Sequence, residues 1–382
     1  MKKLAVFALA LLSVFLMIPK RISAAPPDGM ESASSAILVD ADSGSVIFGK
    51  DEDKRVEAAG LKRLPSLLLI CEAFDSGAIT EDDPVTVSSA AAGIRGATAF
   101  LSPNEIIKAG YLLKAAIIIN AGDANAALMD ALYPGESAQK EAVSSRLSEL
   151  GVVRDESLGE AEDCLYSASE IAKICLALSR SDSFLKYSSV YLDSIPHEKA
   201  GDTELANPNR LVRFYSGCYG LATGSVGSGE YSGAFIARRG STAFIAVIAG
   251  MPDSASRFSL AEEMLNAGFA SFRSSKVYDA NEVVCEIAVS GGRTDSVEAV
   301  VLTDVCALLP VGETKVTTEF VKPEYVNAPV AKGDELGSLV IKSTEGKTLA
   351  EAPVYAKSAV SKARFSDTFM ELIRIWLRAA GS

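Results

Sequence analysis

The stretch SAILVDADSGSVIFGKD, residues 35–51, indicates how the folded part of the chain begins. Apolar and polar residues alternate on both sides of Asp42-Ser43-Gly44, and this pattern around a short Asp/Gly turn predicts a β-hairpin. Two apolar runs on either side of Arg238-Arg239-Gly240 in YSGAFIARRGSTAFIAVIAGMP, residues 231–252, predict two more strands. Between them, from about 58 to 190, apolar residues recur at three- and four-residue spacing, which predicts helices. We therefore predict an α+β domain over residues 31–272, with its sheet completed by distant segments.

The remaining part of the chain has a different sequence pattern. Over residues 276–358, short β-type runs are separated by Gly, Asp, Asn and Pro, the pattern of a small β-sandwich. Residues 361–382 predict an amphipathic helix with Phe365, Phe369 and Trp376 on one stripe. Such a helix either lies on a membrane surface or docks on its own domain, and its periodicity does not separate these alternatives.

The N-terminus has the pattern of an export signal. Lys2 and Lys3 precede an apolar run over residues 4–18, and small residues follow at 23–25. Because this run is shorter than the roughly 20 residues of a membrane-spanning helix, we predict a cleavable signal peptide over residues 1–25. An uncleaved anchor is the alternative.

The charge and the residue content of the chain argue against several classes of function. The formal net charge of −12 argues against a nucleic-acid partner, and 48% apolar residues provide ample material for a packed core. Three of the six cysteines, Cys71, Cys175 and Cys285, lie in apolar stretches, so we expect free thiols in a core rather than disulfides. The single histidine, His197, leaves little material for a zinc site or a Ser-His-Asp triad. We expect no metal and no cofactor, and we expect His197 to lie exposed in a loop.

The order of several segments resembles that of exported penicillin-binding proteins of the D-alanyl-D-alanine carboxypeptidase type. The resemblance covers nearly the whole chain after the signal peptide. It implies a serine β-lactamase-like (DD-peptidase-like) domain, a C-terminal β-sandwich and commonly a terminal amphipathic helix on the membrane. The segments that carry it, besides residues 35–51, are EAFDSGAITEDDPVTVS (72–88), KAAIIINAGDANAAL (114–128), LYSASEIAKICLALSR (165–180), NPNRL (207–211), YGLATG (219–224) and APVAKGDELGSLVI (328–341).

The first active-site motif of that family, Ser-x-x-Lys at the start of a helix, is absent. In VEAAGLKRLPSLLLICEAF, residues 56–74, Gly60 stands at the nucleophile position and Arg63 at the lysine position. Glycine carries no nucleophile, and arginine does not lose its proton near neutral pH. Pro65 also falls in the first turns of the expected helix, where a proline costs about 3 kcal/mol or moves the helix start.

The other two motifs are altered as well. Where the family has Ser-x-Asn, this chain has Asn120 and Gly122; where the family has Lys-Thr-Gly on an edge strand, it has Ala222, Thr223 and Gly224. The resemblance implies that lysine at the third motif receives the substrate's terminal carboxylate, so Ala222 removes its main positive partner. The remaining candidates for lining a ligand groove are Arg63, Asn120, Thr223 and Gly224.

Other serines are weak replacements for the nucleophile. Chance pairs of serine and lysine are expected in a chain this rich in both, and none has the family's position and order. The pairs are Ser137 with Lys140, Ser183 with Lys186, and Lys62 with Ser66.

These observations lead to a hypothesis and two alternatives. The hypothesis is an exported, catalytically silent homologue of D-alanyl-D-alanine carboxypeptidases. It would act at the outer membrane face, cell wall or periplasm as a binding or scaffolding protein, with a peptidoglycan stem peptide or a cell-wall synthesis or sporulation protein as partner. One alternative is an active carboxypeptidase with rearranged catalytic residues, and the other is a structural role without a ligand.

Overall fold

The computed structural model of the chain describes residues 25–153, 164–197, 201–226 and 230–364. The chain forms two compact units, the first including Val46–Phe269 and the strand before it, and the second beginning at Ala270. The first unit mixes helices and strands, whereas the described part of the second contains strands.

The main sheet of the first unit joins strands from both ends of that unit. Its order is β10-β11-β12-β1-β2, with β9 also paired to β11. The strands of this unit are β1 Ser35–Asp40, β2 Val46–Lys50, β3 Val56–Glu57, β4 Pro84–Thr86, β5 Ile106–Lys108, β6 Leu165–Tyr166, β7 Leu192–Ile195, β8 Thr203–Ala206, β9 Cys218–Gly220, β10 Thr223–Val226, β11 Glu230–Arg239 and β12 Thr242–Met251.

The pairing of β1 confirms that distant segments complete the sheet. β1 runs antiparallel to β12 with Ser35 opposite Ala249, and antiparallel to β2 with Ala36 opposite Lys50. Every residue of β1 and almost every residue of β12 is buried. Burial on both faces explains why these strands read as nearly continuous apolar runs.

Helices are the main regular elements of the chain between β2 and β9. α6 packs on β1 and β12, and α1 lies among α4, α5, α6 and α7. The helices are α1 Leu64–Asp75, α2 Ser89–Ala92, α3 Ala109–Ile118, α4 Gly122–Leu132, α5 Glu136–Glu149, α6 Ala168–Leu178, α7 Asp182–Ser188, α8 Leu211–Phe214 and α9 Ser254–Ser271.

Pro65 moves the start of α1. A 3-10 helix, Ala59–Arg63, precedes α1, so the proline stands in the first turn of the α-helix. A proline is tolerated there because its missing N–H would have no partner within the helix. Gly60 and Arg63 therefore lie on a tighter turn than the regular helix that the family motif implies.

Over the residues that the structure describes, the second unit is built from strands, which confirms the predicted β-type C-terminal domain. One of its two sheets pairs β13 with β16, and the other has the order β17-β19-β20-β15-β14-β18. The strands are β13 Phe272–Tyr278, β14 Val283–Ser290, β15 Ser296–Val300, β16 Val305–Pro310, β17 Val316–Val321, β18 Tyr325–Asn327, β19 Glu335–Ser343 and β20 Thr348–Ala356.

The structure tests the expectations for the cysteines and for the single histidine. All six cysteines are free thiols; Cys71 and Cys175 lie in the core as expected, whereas Cys285 is only partly buried. The expectation of an exposed His197 is wrong, because its side chain is only 4% exposed. Its Nδ1 lies 2.8 Å from Glu105 Oε1 and its Nε2 lies 2.9 Å from Thr203 Oγ1. Two polar partners let this side chain be buried at a loop position.

Both predicted terminal segments fall almost wholly outside the described residues. This holds for the signal peptide over residues 1–25 and the amphipathic helix over residues 361–382, of which only residue 25 and residues 361–364 are described. Across the described part of the chain, no helix combines the length and apolar character needed to cross a membrane.

Candidate active-site cleft

Three segments meet where the family motifs align. The 3-10 helix Ala59–Arg63 carries Gly60, the link between α3 and α4 carries Asn120, and β10 begins at Thr223. β10 lies at the edge of the main sheet, so the 3-10 helix and the α3–α4 link approach a strand that pairs on one side only. The structure thus brings the altered motif residues together.

Gly60 lies directly against β10. A Cβ atom placed on Gly224 would lie 2.3 Å from Gly60 N and 2.7 Å from its Cα. A Cβ placed on Gly60 would lie 2.9 Å from Asn120 Nδ2 and 3.0 Å from Thr223 O. Real Cβ atoms almost never approach other atoms below 3.0 Å, so the two glycines allow a contact that bulkier residues would prevent. The space beside Gly60, the predicted nucleophile position, is therefore filled by atoms of Asn120 and β10.

Asn120 stabilises the contact between Gly60 and Gly224. Its backbone has a φ of +53°, in the left-handed region that asparagine tolerates better than most residues. Its side chain is buried, and Nδ2 donates a hydrogen bond to Gly60 O at 2.9 Å. The residue at the family's serine position thus acts as a link between the α3–α4 connection and the 3-10 helix.

Arg63 is also directed at the protein's own backbone. Its Nη1 donates to Asn120 O at 3.0 Å. Its guanidinium covers Gly122, because a Cβ placed on Gly122 would lie 3.0 Å from Arg63 Nη2. Burial lowers the pKa of Arg63, and the Asp123 carboxylate opposes that shift. Arg63 thus occupies the place that the family's asparagine side chain would take.

Asp123 organises the loop beside Arg63, a role that sequence reasoning missed. This carboxylate is 1% exposed. It accepts hydrogen bonds from Ala99 N at 2.9 Å, from Leu101 N at 3.2 Å and from Ala124 N at 2.8 Å. The only signal in the sequence was its place in the first turn of α4, where a carboxylate is favoured by the helix dipole.

Ala222 and Thr223 are buried, and an arginine of α9 contacts this strand. Arg257 donates through Nη1 to Gly224 O at 3.1 Å and to Ser232 O at 3.0 Å. Burial lowers the pKa of Arg257 to about 10. Sequence reasoning missed Arg257 because an arginine in an amphipathic helix normally faces solvent.

The alternative serine and lysine pairs do not form nucleophile–base units. Ser66 Oγ lies 2.8 Å from Asn125 Oδ1, whereas Lys62 Nζ lies 3.3 Å from Cys164 Sγ. The two remaining lysines of these pairs form ion pairs instead, Lys140 with Glu136 at 2.9 Å and Lys186 with Glu81 at 2.5 Å.

Comparison with known proteins identifies the family. A family model described as D-alanyl-D-alanine carboxypeptidase matches residues 20–253, and one described as penicillin-binding protein 5, C-terminal domain, matches residues 272–362. D-alanyl-D-alanine carboxypeptidase DacF of Bacillus subtilis is 30% identical over 352 residues, which cover 91% of this chain and 90% of the relative. DacA of Escherichia coli K12 is 23% identical, covering 90% of this chain and 87% of the relative.

Solved structures show the same fold. Penicillin-binding protein 5 from Haemophilus influenzae superposes with a TM-score of 0.73 at 22% identity, covering 89% of this chain and 100% of that one. A peptidoglycan synthesis regulatory factor, PBP3 from Streptococcus pneumoniae, has a TM-score of 0.63 at 19% identity, covering 86% of this chain and 99% of that one. The chain belongs to the D-alanyl-D-alanine carboxypeptidase family of penicillin-binding proteins, with an α+β N-terminal domain and a β-type C-terminal domain.

Proposed function

We propose that this chain is an exported, catalytically silent member of its family, acting in peptidoglycan metabolism as a cell-wall-associated binding or scaffolding protein. One observation carries the proposal: Gly60 packs against Gly224, with Asn120 covering the place where a serine side chain would lie. A hydrolase that has lost its nucleophile loses on the order of 10⁶ in turnover, so this change alone is sufficient.

The cleft contacts also weigh against a stem peptide as the ligand. Arg63 and Asn120, two of the polar groove candidates, donate to backbone carbonyls of the protein. Gly224 O, on the edge strand, already accepts from Arg257. A peptide would have to replace these bonds to enter. Of the two partners considered, we therefore favour a protein of cell-wall synthesis or sporulation, bound outside the cleft.

Penicillin labelling tests the loss of catalysis. Purified protein is incubated with a fluorescent penicillin and examined by intact mass, beside the double variant G60S/R63K and the triple variant G60S/R63K/N120S. We expect no adduct on the natural chain. We also expect none on the double variant, because Asn120 Nδ2 would still lie 2.9 Å from the new Cβ. A penicilloyl adduct on the natural chain would establish an active enzyme with a displaced nucleophile.

A peptide titration tests the cleft separately. Because a ligand that binds only the folded state raises the melting temperature, we expect diacetyl-L-Lys-D-Ala-D-Ala to leave it unchanged. A saturable rise that disappears in Arg63→Ala would instead assign stem-peptide binding to the cleft.

Membrane attachment through residues 361–382 is part of the proposal. The amphipathic pattern there, with Arg374 and Arg378 beside the apolar stripe, is typical of interfacial helices. In a flotation assay with vesicles that contain anionic lipid, we expect the mature chain to rise with the vesicles. A variant that ends at residue 360 should remain in the fraction without lipid. Equal flotation of both would remove the anchor from the proposal.

A further inference from the structure

A lysine and a cysteine meet on the side of the 3-10 helix. Lys62 Nζ lies 3.3 Å from Cys164 Sγ, although the residues are far apart in sequence. Lys62 is exposed and Cys164 is partly exposed, so small molecules can reach the pair from solvent. Neither residue belongs to the hydrogen bonds that close the cleft.

The backbone holds the two residues in place. Ala58 N donates to Cys164 O at 3.0 Å. β3 and β6 pair immediately beside this bond, with Glu57 opposite Leu165. Cys164 thus follows directly from a strand pair, and Lys62 lies in the 3-10 helix that leaves the same pair. The backbone pairing thus brings together the two segments from which these side chains meet.

The buried cysteines provide a contrast. Cys71, Cys175 and Cys218 are buried, and burial raises the pKa of each thiol, for Cys218 to about 11. Such thiols are inert, because the thiolate is the nucleophile and an apolar surrounding disfavours it. Cys164 differs in two respects that favour reaction, namely access from solvent and an ammonium group as hydrogen-bond donor to its sulfur.

We propose that Cys164 and Lys62 form a thiol-exchange site that takes small disulfides. The Cys164 thiolate attacks one sulfur of the disulfide, and a new S–S bond forms as the original one breaks. The other half leaves as a thiolate, which water protonates. The disulfide itself is the oxidant, so no further reactant is needed. Lys62 stabilises the attacking thiolate through its positive charge.

The test compares exchange rates with two probes of different charge. Bis(2-hydroxyethyl) disulfide is neutral, and 5,5′-dithiobis(2-nitrobenzoate) is anionic. The folded natural chain, Cys164→Ser, Lys62→Met and Lys62→Arg are reacted, and the modified cysteine is located by peptide mass. Lys54→Met, which removes another exposed lysine, is the matched control. Melting temperatures of all variants verify that they are folded.

We expect the first adduct at Cys164 and a rate about tenfold lower with both probes in Lys62→Met. Lys62→Arg, which keeps the charge, and Lys54→Met should stay within about twofold of the natural chain. Four results would each overturn the proposal: first reaction at Cys285 or Cys306, an unchanged rate in Lys62→Met, slowing with the anionic probe alone, or equal slowing in Lys62→Arg. If Lys62→Met does not fold, Lys62→Gln replaces it. Because the exchange uses no cleft residue, its outcome is separate from that of the penicillin labelling.

Discussion

At the residue scale, the contact of Gly60 with Gly224 distinguishes this cleft from one built to hold a nucleophile. Neither glycine has a positive φ, so the missing Cβ matters for space rather than for backbone conformation. Asn120 Nδ2 and Thr223 O fill what remains around Gly60. Gly60 and Asn120, which stand where the resemblance predicts catalytic side chains, therefore pack this part of the cleft.

Substituting Gly224 tests this packing. In Gly224→Ala the new Cβ would meet the Gly60 backbone at 2.3 Å, and backbone atoms move less readily than the end of a side chain. We expect a loss of about 2–3 kcal/mol in the free energy of unfolding, measured by denaturant titration. The control is Gly201→Ala, whose Cβ meets no atom within 4 Å. Equal stability of the two variants would contradict the closed contact.

Two substitutions at Asn120 separate its hydrogen bond from its backbone conformation. Asn120→Gly keeps the left-handed backbone and loses the bond to Gly60 O, so we expect a loss of about 1 kcal/mol. Asn120→Ala loses the bond and also places a Cβ at a φ of +53°, which adds about 1 kcal/mol. Denaturant midpoints that rank alanine at or above glycine would show that the left-handed strain is absent.

At the scale of elements, buried polar groups link segments that propensity alone would leave as loops. His197 joins the end of β7 to Thr203 on β8 and to Glu105 before β5. Glu105 is also buried, with a side chain 7% exposed, and its other oxygen accepts from Ser102 N at 2.9 Å. The single histidine of the chain is thus a structural connector.

Removing this connector should loosen the β7–β8 hairpin. His197→Ala leaves the Glu105 carboxyl buried without its ring partner, and we expect a loss of about 3 kcal/mol. Hydrogen exchange should become faster in β7 and β8 before it changes in the main sheet. The exposed Glu204 on β8 provides the control, because Glu204→Ala should leave exchange unaltered. Exchange that is equally fast in both variants would refute the linking role.

At the scale of the whole molecule, each unit has a core of its own. Phe235 and Phe244 are fully buried in the first unit, and Leu308 and Leu339 are fully buried in the second. Both units thus bury apolar residues outside the cleft.

Shortening one buried side chain in each core should lower the temperature of a different unfolding transition. We expect Phe235→Ala to destabilise the first unit by about 3–5 kcal/mol and Leu339→Ala the second by about 2–5 kcal/mol. In scanning calorimetry, each variant should lower the temperature of one transition and leave the other in place. A single transition that both variants shift equally would show that the units unfold together.

The sequence by itself determined the elements and the identity of the altered motif residues. The short apolar runs of β1, β11 and β12 and the period of 3.6 in α1, α3 and α6 are local properties that can be read from a few neighbouring residues. Segment order then predicted that Gly60, Asn120 and Ala222 stand at the family's motif positions, because substitutions do not disturb the register of the flanking segments.

Only the tertiary structure decided what those residues do. Three contacts join residues that are distant in sequence. Asn120 donates a hydrogen bond to Gly60 O, the Arg63 guanidinium lies against Gly122, and Arg257 donates a hydrogen bond to Gly224 O. The burial of His197 and the approach of Lys62 to Cys164 are of the same kind. Periodicity records which face of an element is apolar, whereas these contacts depend on how elements dock, and docking sets distances that no local pattern contains.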